Sequence, residues 1–279
     1  MKIVTEKTIL VTGASGGMGL AVCRLLTEKG YQVFGLDIRE PDTKIKWTFA
    51  KADLTDMRSV KAAKDNIQNQ TDHIDAIVHL AGKYDLNSLV EMSEDDFTGI
   101  FDRNVFSVYR VNKVFLPMLK QPGKILITTS ELAPLDPLPF TGIYGITKTA
   151  LEKYCHSLRM ELQLLDHQVI EIRPGAIKTK LLNDSQEKLE QFTRNTQLYQ
   201  FSGKNFKEIV DKVEARHISA EAIAQLVLKI LTAKHPKLVY NINRNKLLLL
   251  YNLAPDRIQA KAIKKILLKG VNHESNESA

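Results

Sequence analysis

Cysteine is scarce in this sequence: Cys23 and Cys155 are the only two among 279 residues. They form no metal-ligand spacing and cannot make a disulfide framework, and each lies inside a helical pattern. Buried, reduced thiols are therefore expected, and no metal. There is one tryptophan, no internal repeat and no low-complexity tract. The run Leu247–Leu250 falls far short of the roughly 18 apolar residues that span a bilayer. No signal-peptide pattern precedes the first strand-like segment, so a soluble cytoplasmic protein is expected. Acidic residues are only slightly outnumbered, 32 against 39 basic ones, for a net charge of +7. That excess selects no partner class. Without a recognition motif or an aromatic-basic patch, nucleic acid is not expected as a partner.

What is present is a regular alternation. Short β-branched segments (KTILVTGA, YQVFGLDI, WTFAKADL, IDAIVHLAG, GKILITTS, HQVIEIRPG and KLVYNI) are separated by helical patterns. The helices are expected near 57–68, 95–119, 141–165 and 220–234. This order predicts an α/β fold, a doubly wound parallel sheet covered on both faces, as a single domain with a C-terminal helical extension. The domain is placed at 1–254. Residues 180–216, where the pattern weakens, are read as a mobile substrate lid, and 255–279 as a basic amphipathic helix with a frayed polar end.

The first strand runs into TGASGGMG, Thr12 to Gly19. Glycines at 13, 16, 17 and 19, with Ser15 and Met18 between them, let the backbone approach a pyrophosphate at a helix N-terminus. Asp37 ends the second strand, followed by Ile38. A carboxylate there accepts from both adenosine ribose hydroxyls and repels a 2′-phosphate, which favours NAD over NADP, with Arg39 as the complication. Asp53 and Leu54 are placed beside the adenine; a helix cap is the competing reading for Asp53. In YGITK, Tyr144 and Lys148 share one helix face. An ammonium beside a phenol favours the phenolate, which makes the pair a candidate proton-transfer unit.

These elements in order, with LAG at 80–82, Asn104, Ser130 and RPGAIKT at 173–179, resemble the short-chain dehydrogenase/reductase family over residues 3 to about 240. The resemblance implies a catalytic tetrad of Asn104, Ser130, Tyr144 and Lys148. It implies that Ser130 holds the substrate oxygen, Tyr144 transfers the proton, and Lys148 lowers the tyrosine pKa and binds the nicotinamide ribose. Asn104 is implied to hold a relay water. Ala81, Gly82, Pro174, Gly175, Ile177 and Thr179 are implied to enclose the cofactor, and a homodimer or homotetramer is the implied assembly.

Two departures stand out: His79-Leu80 replaces the family's frequent asparagine, with a packed histidine expected, and the Ser130–Tyr144 interval carries three prolines and one extra residue. Thr129 is the alternative hydroxyl. On the substrate side, Tyr84, Glu131, Leu132, Leu138, Leu181, Leu182, Phe192 and Tyr199 are candidate pocket residues. Each apolar one has a competing reading as lid packing. Their composition suits a lipophilic secondary alcohol or ketone, possibly a hydroxysteroid, better than a sugar, polyol or acyl ketone. A nucleotide-sensing protein without turnover is the rival from another class. The tail loosely resembles hydroxysteroid and retinol dehydrogenase extensions. Its Lys261, Lys264 and Lys265 lie opposite Ile263, Ile266 and Leu267, so it meets either a membrane surface or protein.

Overall fold

The computed structural model describes residues 7–214 and 217–269, except the side chains of 180–186 and 212–214. Strand β1 (Thr8–Thr12) leads into helix α1 (Gly17–Glu28), then β2 (Gln32–Asp37) and β3 (Thr48–Lys51). Helix α2 (Met57–Gln68) precedes β4 (Ile74–His79). The long helical pattern that follows is not continuous. It comprises α3 (Glu94–Phe101), a π-helical turn (Asp102–Phe106) and α4 (Ser107–Phe115). Next come β5 (Leu119–Thr128), α5 (Gly142–Leu162) and β6 (Gln168–Pro174). Short strands β7 (Ile177–Lys178) and β8 (Ile218–Ser219) pair with each other, on either side of α6 (Lys180–Asn195) and α7 (Gln200–Glu214). Helix α8 (Ala220–Thr232), strand β9 (Val239–Ile242), α9 (Lys246–Tyr251) and α10 (Asp256–Leu267) complete the chain as described.

The main sheet is parallel, in the order β3-β2-β1-β4-β5-β6-β9. Its side chains alternate between two cores, as the two-residue period of a strand requires. Leu10, Ile77, Ile125, Ile127 and Val169 face α2, α4 and α5. Ile9, Val11, Ala76, Val78, Leu126, Ile170 and Ile172 face α1 and α8. The continuous apolar character of these strands thus reflects burial on both faces. Cys155 belongs to the first core and Cys23 to the second, so the two thiols lie on opposite sides of the sheet. Both are free and buried, and burial pushes each up to about 12.

The segment read as a mobile substrate lid consists of the helix pair α6–α7. Its apolar residues recur at helical spacing, Leu189 with Phe192 and Phe206 with Ile209 and Val210, and pack into a third cluster. Phe140 is the hub, with ring centroids 4.8 Å from Phe192, 5.1 Å from Tyr199 and 5.3 Å from Phe206. Polar ties fasten the lid to the body. Lys188 pairs with the buried Asp85 at 2.7 Å, and Glu91 accepts from the Thr196 hydroxyl at 2.6 Å. Helix α10 forms where the amphipathic pattern predicted it, and it lies on α7. The buried stripe is Gln259 and Leu267 with Ile263 packed beside them, whereas Ile266 is half exposed. Among the described residues no helix is long and apolar enough to cross a membrane.

His79 is the packed strand-end histidine expected. Its Nε2 lies 2.8 Å from Asn112 Oδ1, and burial lowers its pKa to about 4. An unfolded chain takes up that proton near pH 6.5. The unfolded state therefore binds more protons between about pH 6.5 and 4, and stability falls as pH drops through this window, by up to about 1.4 kcal/mol per unit. His79→Gln removes the titration. In urea unfolding, its stability deficit relative to wild type should shrink by about 1–2 kcal/mol between pH 7 and pH 5; an unchanged deficit would show that His79 is not held neutral.

Candidate active site

The strand order reverses between β1 and β4, and ligands of open α/β sheets bind at the carboxyl ends beside such a switch point. There the β1–α1 loop turns at Gly13, whose φ is +70°. A Cβ at this position would lie 2.7 Å from the Ala81 nitrogen, so only glycine allows the loop to rest on the end of β4. A cavity of about 210 Å³ opens beside it, lined by Gly13, Gly16, Gly17, Met18, Gly19, Asp37, Ala81, Gly82 and Thr179, with Leu80. A second cavity of about 150 Å³ shares Met18, Leu80, Ala81, Gly82 and Thr179 with it and extends to Ser130, Tyr144 and Lys148. Pro174, Gly175 and Ile177 form part of the second wall.

A continuous cleft from a glycine-lined helix N-terminus to a half-buried tyrosine fits a dinucleotide. The phosphates would meet the Gly13–Gly19 loop and the nicotinamide would meet the Pro174–Thr179 segment. When bound, that cofactor would supply or accept the hydride. Asp37 projects from the end of β2, and its Oδ2 accepts from the Ser15 N–H at 3.0 Å. Three further expected cofactor residues do not line these two cavities. Ile38 follows Asp37 and is half exposed, and Leu54 packs on the first core. Asp53 Oδ1 accepts from both the Thr55 N–H and hydroxyl, at 2.9 and 2.6 Å. This turn precedes the true cap of α2, Asp56, so the capping alternative for Asp53 is correct only in kind.

At the other end, α5 delivers Tyr144 and Lys148 together. The Lys148 ammonium lies 5.6 Å from the Tyr144 ring centroid and donates to the Thr128 carbonyl at 3.2 Å. Burial lowers its pKa to about 8. Burial also pushes the Tyr144 phenol up to about 12; its hydrogen bond with Ser130 opposes the rise and the Glu131 charge adds to it. Desolvation dominates at the phenol, over the Ser130 hydrogen bond that favours its charged form.

Strand β5 closes at Thr128, two residues before Ser130. The neighbouring hydroxyls then separate. Thr129 donates to Glu171 Oε1 at 2.7 Å, deep in the sheet. Glu171 is itself held by Arg173. Ser130 Oγ accepts from the Leu132 N–H at 3.2 Å and bonds Tyr144. Asn104 is carried by the π-helical turn, a feature frequent at functional sites. Its Oδ1 accepts from the Lys83 N–H at 2.7 Å, and its Nδ2 donates to the Lys83 carbonyl and the Thr147 hydroxyl at 2.9 and 3.0 Å.

Of the proposed substrate residues, Tyr84, Glu131 and Leu132 line the inner cavity. Tyr84 stands edge-on to Tyr144, with centroids 4.6 Å apart. Leu138, Phe192 and Tyr199 instead pack the lid cluster. The side chains of Leu181 and Leu182 lie outside the described residues. Leu248 of α9, which sequence reasoning missed, completes the apolar wall; its tetraleucine run was legible only as too short for a membrane span.

The sequence profile described as short chain dehydrogenase matches residues 7–190. The chain belongs to this family. A probable short-chain type dehydrogenase/reductase of Helicobacter pylori is 28% identical over 254 residues, covering 88% of this chain and 92% of its own. The 3-ketodihydrosphingosine reductase of Bacteroides thetaiotaomicron is 27% identical over 231 residues, 82% of this chain and 84% of its own. A solved short chain dehydrogenase family protein from Francisella tularensis superposes with a TM-score of 0.70 at 25% identity, over 85% of this chain and 97% of that one.

The two hydroxyls make a sharp test of the site. Ser130→Ala should cut turnover by about 10²-fold or more. Thr129→Val should cost about 1 kcal/mol of stability while turnover per folded molecule keeps its order of magnitude. Equal losses in steady-state assays of the two purified variants would contradict the separation of roles.

Proposed function

We propose that the protein transfers hydride between NAD and a lipophilic secondary alcohol or its ketone, with steroids and long-chain lipids as the substrate class. The observation that carries this reading is the group of buried Ser130 and Lys148 with half-buried Tyr144 between them. It closes a nucleotide-shaped cleft behind a wall of Leu80, Tyr84, Leu132 and Leu248. In oxidation, Ser130 orients the alcohol oxygen and Tyr144 takes its proton; in reduction the proton returns. Asn104 fixes the Lys83 backbone and, through Thr147, the turn of α5 that carries the pair. Lys148 holds the nicotinamide ribose and biases the tyrosine toward phenolate once the oxidised nucleotide adds its positive charge.

Names among the relatives support a lipid substrate. Besides the 3-ketodihydrosphingosine reductase, mouse estradiol 17-beta-dehydrogenase 2 is 29% identical over 215 residues, covering 70% of this chain and 56% of its own. Asp37 supports NAD, because its carboxylate at the cleft wall would repel a 2′-phosphate. Exposed Phe106, Tyr109, Ile146 and Met160 on the π-helical turn, α4 and α5 support a homodimer or homotetramer. Exposed Leu247, Leu250 and Leu253 beside the cationic face of α10 support peripheral membrane contact from the cytoplasm.

Tyr144→Phe keeps the ring and removes the acid–base oxygen. It should lower turnover by about 10²–10⁴-fold in a panel of steroid, long-chain lipid and sugar alcohols, with nucleotide affinity nearly intact. In the same panel wild type should prefer NAD, and Asp37→Ala should erase most of that preference. Full activity in Tyr144→Phe would sink the acid–base assignment. Nucleotide binding without turnover of any alcohol would favour a sensing role, and turnover of sugars alone would redirect the substrate class.

A further inference from the structure

Glu131 is a buried carboxylate in the reaction cavity that the hydride-transfer chemistry does not use. Only 7% of it is exposed, although it follows Ser130 directly. Its N–H donates to the Pro174 carbonyl at 2.8 Å, which sets the residue against the end of β6. Its Oε2 accepts from the Asn245 N–H at 2.6 Å. A Cβ at Gly175 would lie 2.0 Å from the Asn243 carbonyl oxygen and 2.8 Å from Glu131 Oε1, so the carboxylate sits where Gly175 meets the segment after β9. The side chain forms the partition between two spaces. One is the cavity holding Ser130 and Tyr144, and the other is a cavity of about 320 Å³ lined by Arg244, Asn245, Lys246 and Leu247 among others.

The charge has a cost at this position. Burial pushes the carboxyl above its usual range, against the Asn245 hydrogen bond and the more distant Arg244 charge. The Glu131 charge also raises the proton affinity of Tyr144, which works against alcohol oxidation. Of the other largely buried carboxylates near the site, Glu171 and Glu152 share Arg173, and Asp85 pairs with Lys83 and Lys188. No ion pair to Glu131 exists among the described residues. If the side chain only braced the loop before α9, a neutral amide would accept the same N–H without the desolvation cost that the Asn245 bond and the Arg244 charge only partly offset.

We propose that Glu131 is the specificity-determining residue for a substrate bearing a protonated amine one or two carbons from the reacting carbinol or ketone carbon. This rests on the hydride-transfer reading and narrows its substrate class to amino alcohols and amino ketones with an apolar chain. Ser130 and Tyr144 hold the oxygen, Glu131 accepts from the adjacent ammonium, and the Leu132–Leu248 wall takes the chain. The bound ammonium also offsets the field of Glu131 on the phenol.

The test is binding to the enzyme–NADH complex at neutral pH, where an alcohol cannot react. Quenching of NADH fluorescence would be titrated with a long-chain vicinal amino alcohol and with the same alcohol lacking the amine. A charge-assisted hydrogen bond predicts a wild-type preference of about 10- to 100-fold for the amine. That ratio should collapse toward unity in Glu131→Gln, which retains an acceptor for Asn245, and persist in part in Glu131→Asp. A wild-type ratio near one, or a ratio unchanged in Glu131→Gln, overturns the proposal. So does a Glu131→Gln effect confined to the relative affinities of NAD and NADH, which would assign the carboxylate to the nicotinamide. Amine preference in binding, with no turnover of any alcohol or ketone, would leave Glu131 as an amine site and sink the dehydrogenase reading instead.

Discussion

The Lys148 ammonium, removed from water and given one backbone carbonyl as its described partner, sets the terms for the whole site. A buried cation is tolerated only where fixed dipoles or charges compensate it. The ends of parallel strands provide such dipoles, and the Thr128 carbonyl is aimed at Lys148 because β5 stops there. The same burial makes Tyr144 hard to ionise. On the proposed reading the pair is an acid–base unit: desolvation holds the proton on Tyr144 and weakens the hold of Lys148 on its own, and a positive charge entering the cleft shifts the tyrosine toward the phenolate.

Rigid supports surround this unit, and several are polar networks rather than apolar packing. Thr129, Glu171, Arg173 and Glu152 form a chain from the end of β5 to the outer side of α5. On the opposite side, Asn104 clamps both the N–H and the carbonyl of Lys83. The C-terminal helices act on the site through its most proline-rich loop. Asp136 donates its N–H to Asn252 Oδ1 at 2.6 Å and accepts at Oδ2 from Gln259 Nε2 at 3.0 Å. Leu248 of α9 lines the inner cavity, and α10 reaches the loop beside it only through Gln259 among the described hydrogen bonds.

The parts legible in the sequence are those where local and tertiary requirements coincide. The glycine loop, the strand periods and the Tyr144–Lys148 spacing each follow from a short-range rule that the fold does not override. The choice of Ser130 over Thr129 rests on resemblance to the family and not on a short-range rule, since the adjacent hydroxyls just beyond β5 are distinguished by the carboxylate that captures Thr129. The π-helical turn at Asn104 was hidden because its residues read as ordinary helix. The helices α6 and α7 were less legible because their apolar faces, Leu189 and Phe192 on one and Phe206 and Val210 on the other, are completed by Phe140, a distant residue with φ of 63°. Asp53 and Leu54 were assigned by position alone, and the turn formed with Thr55 takes up one carboxylate oxygen.

The central claim is that Tyr144 is an acid–base group held neutral by burial until an oxidised nucleotide arrives. The most direct measurement is a phenolate absorbance titration of wild type minus Tyr144→Phe, with and without NAD. The account predicts a midpoint near 12 for Tyr144 in the free protein and a clear downward shift when NAD binds. A midpoint near the ordinary tyrosine value of about 10 that NAD leaves unmoved would contradict it.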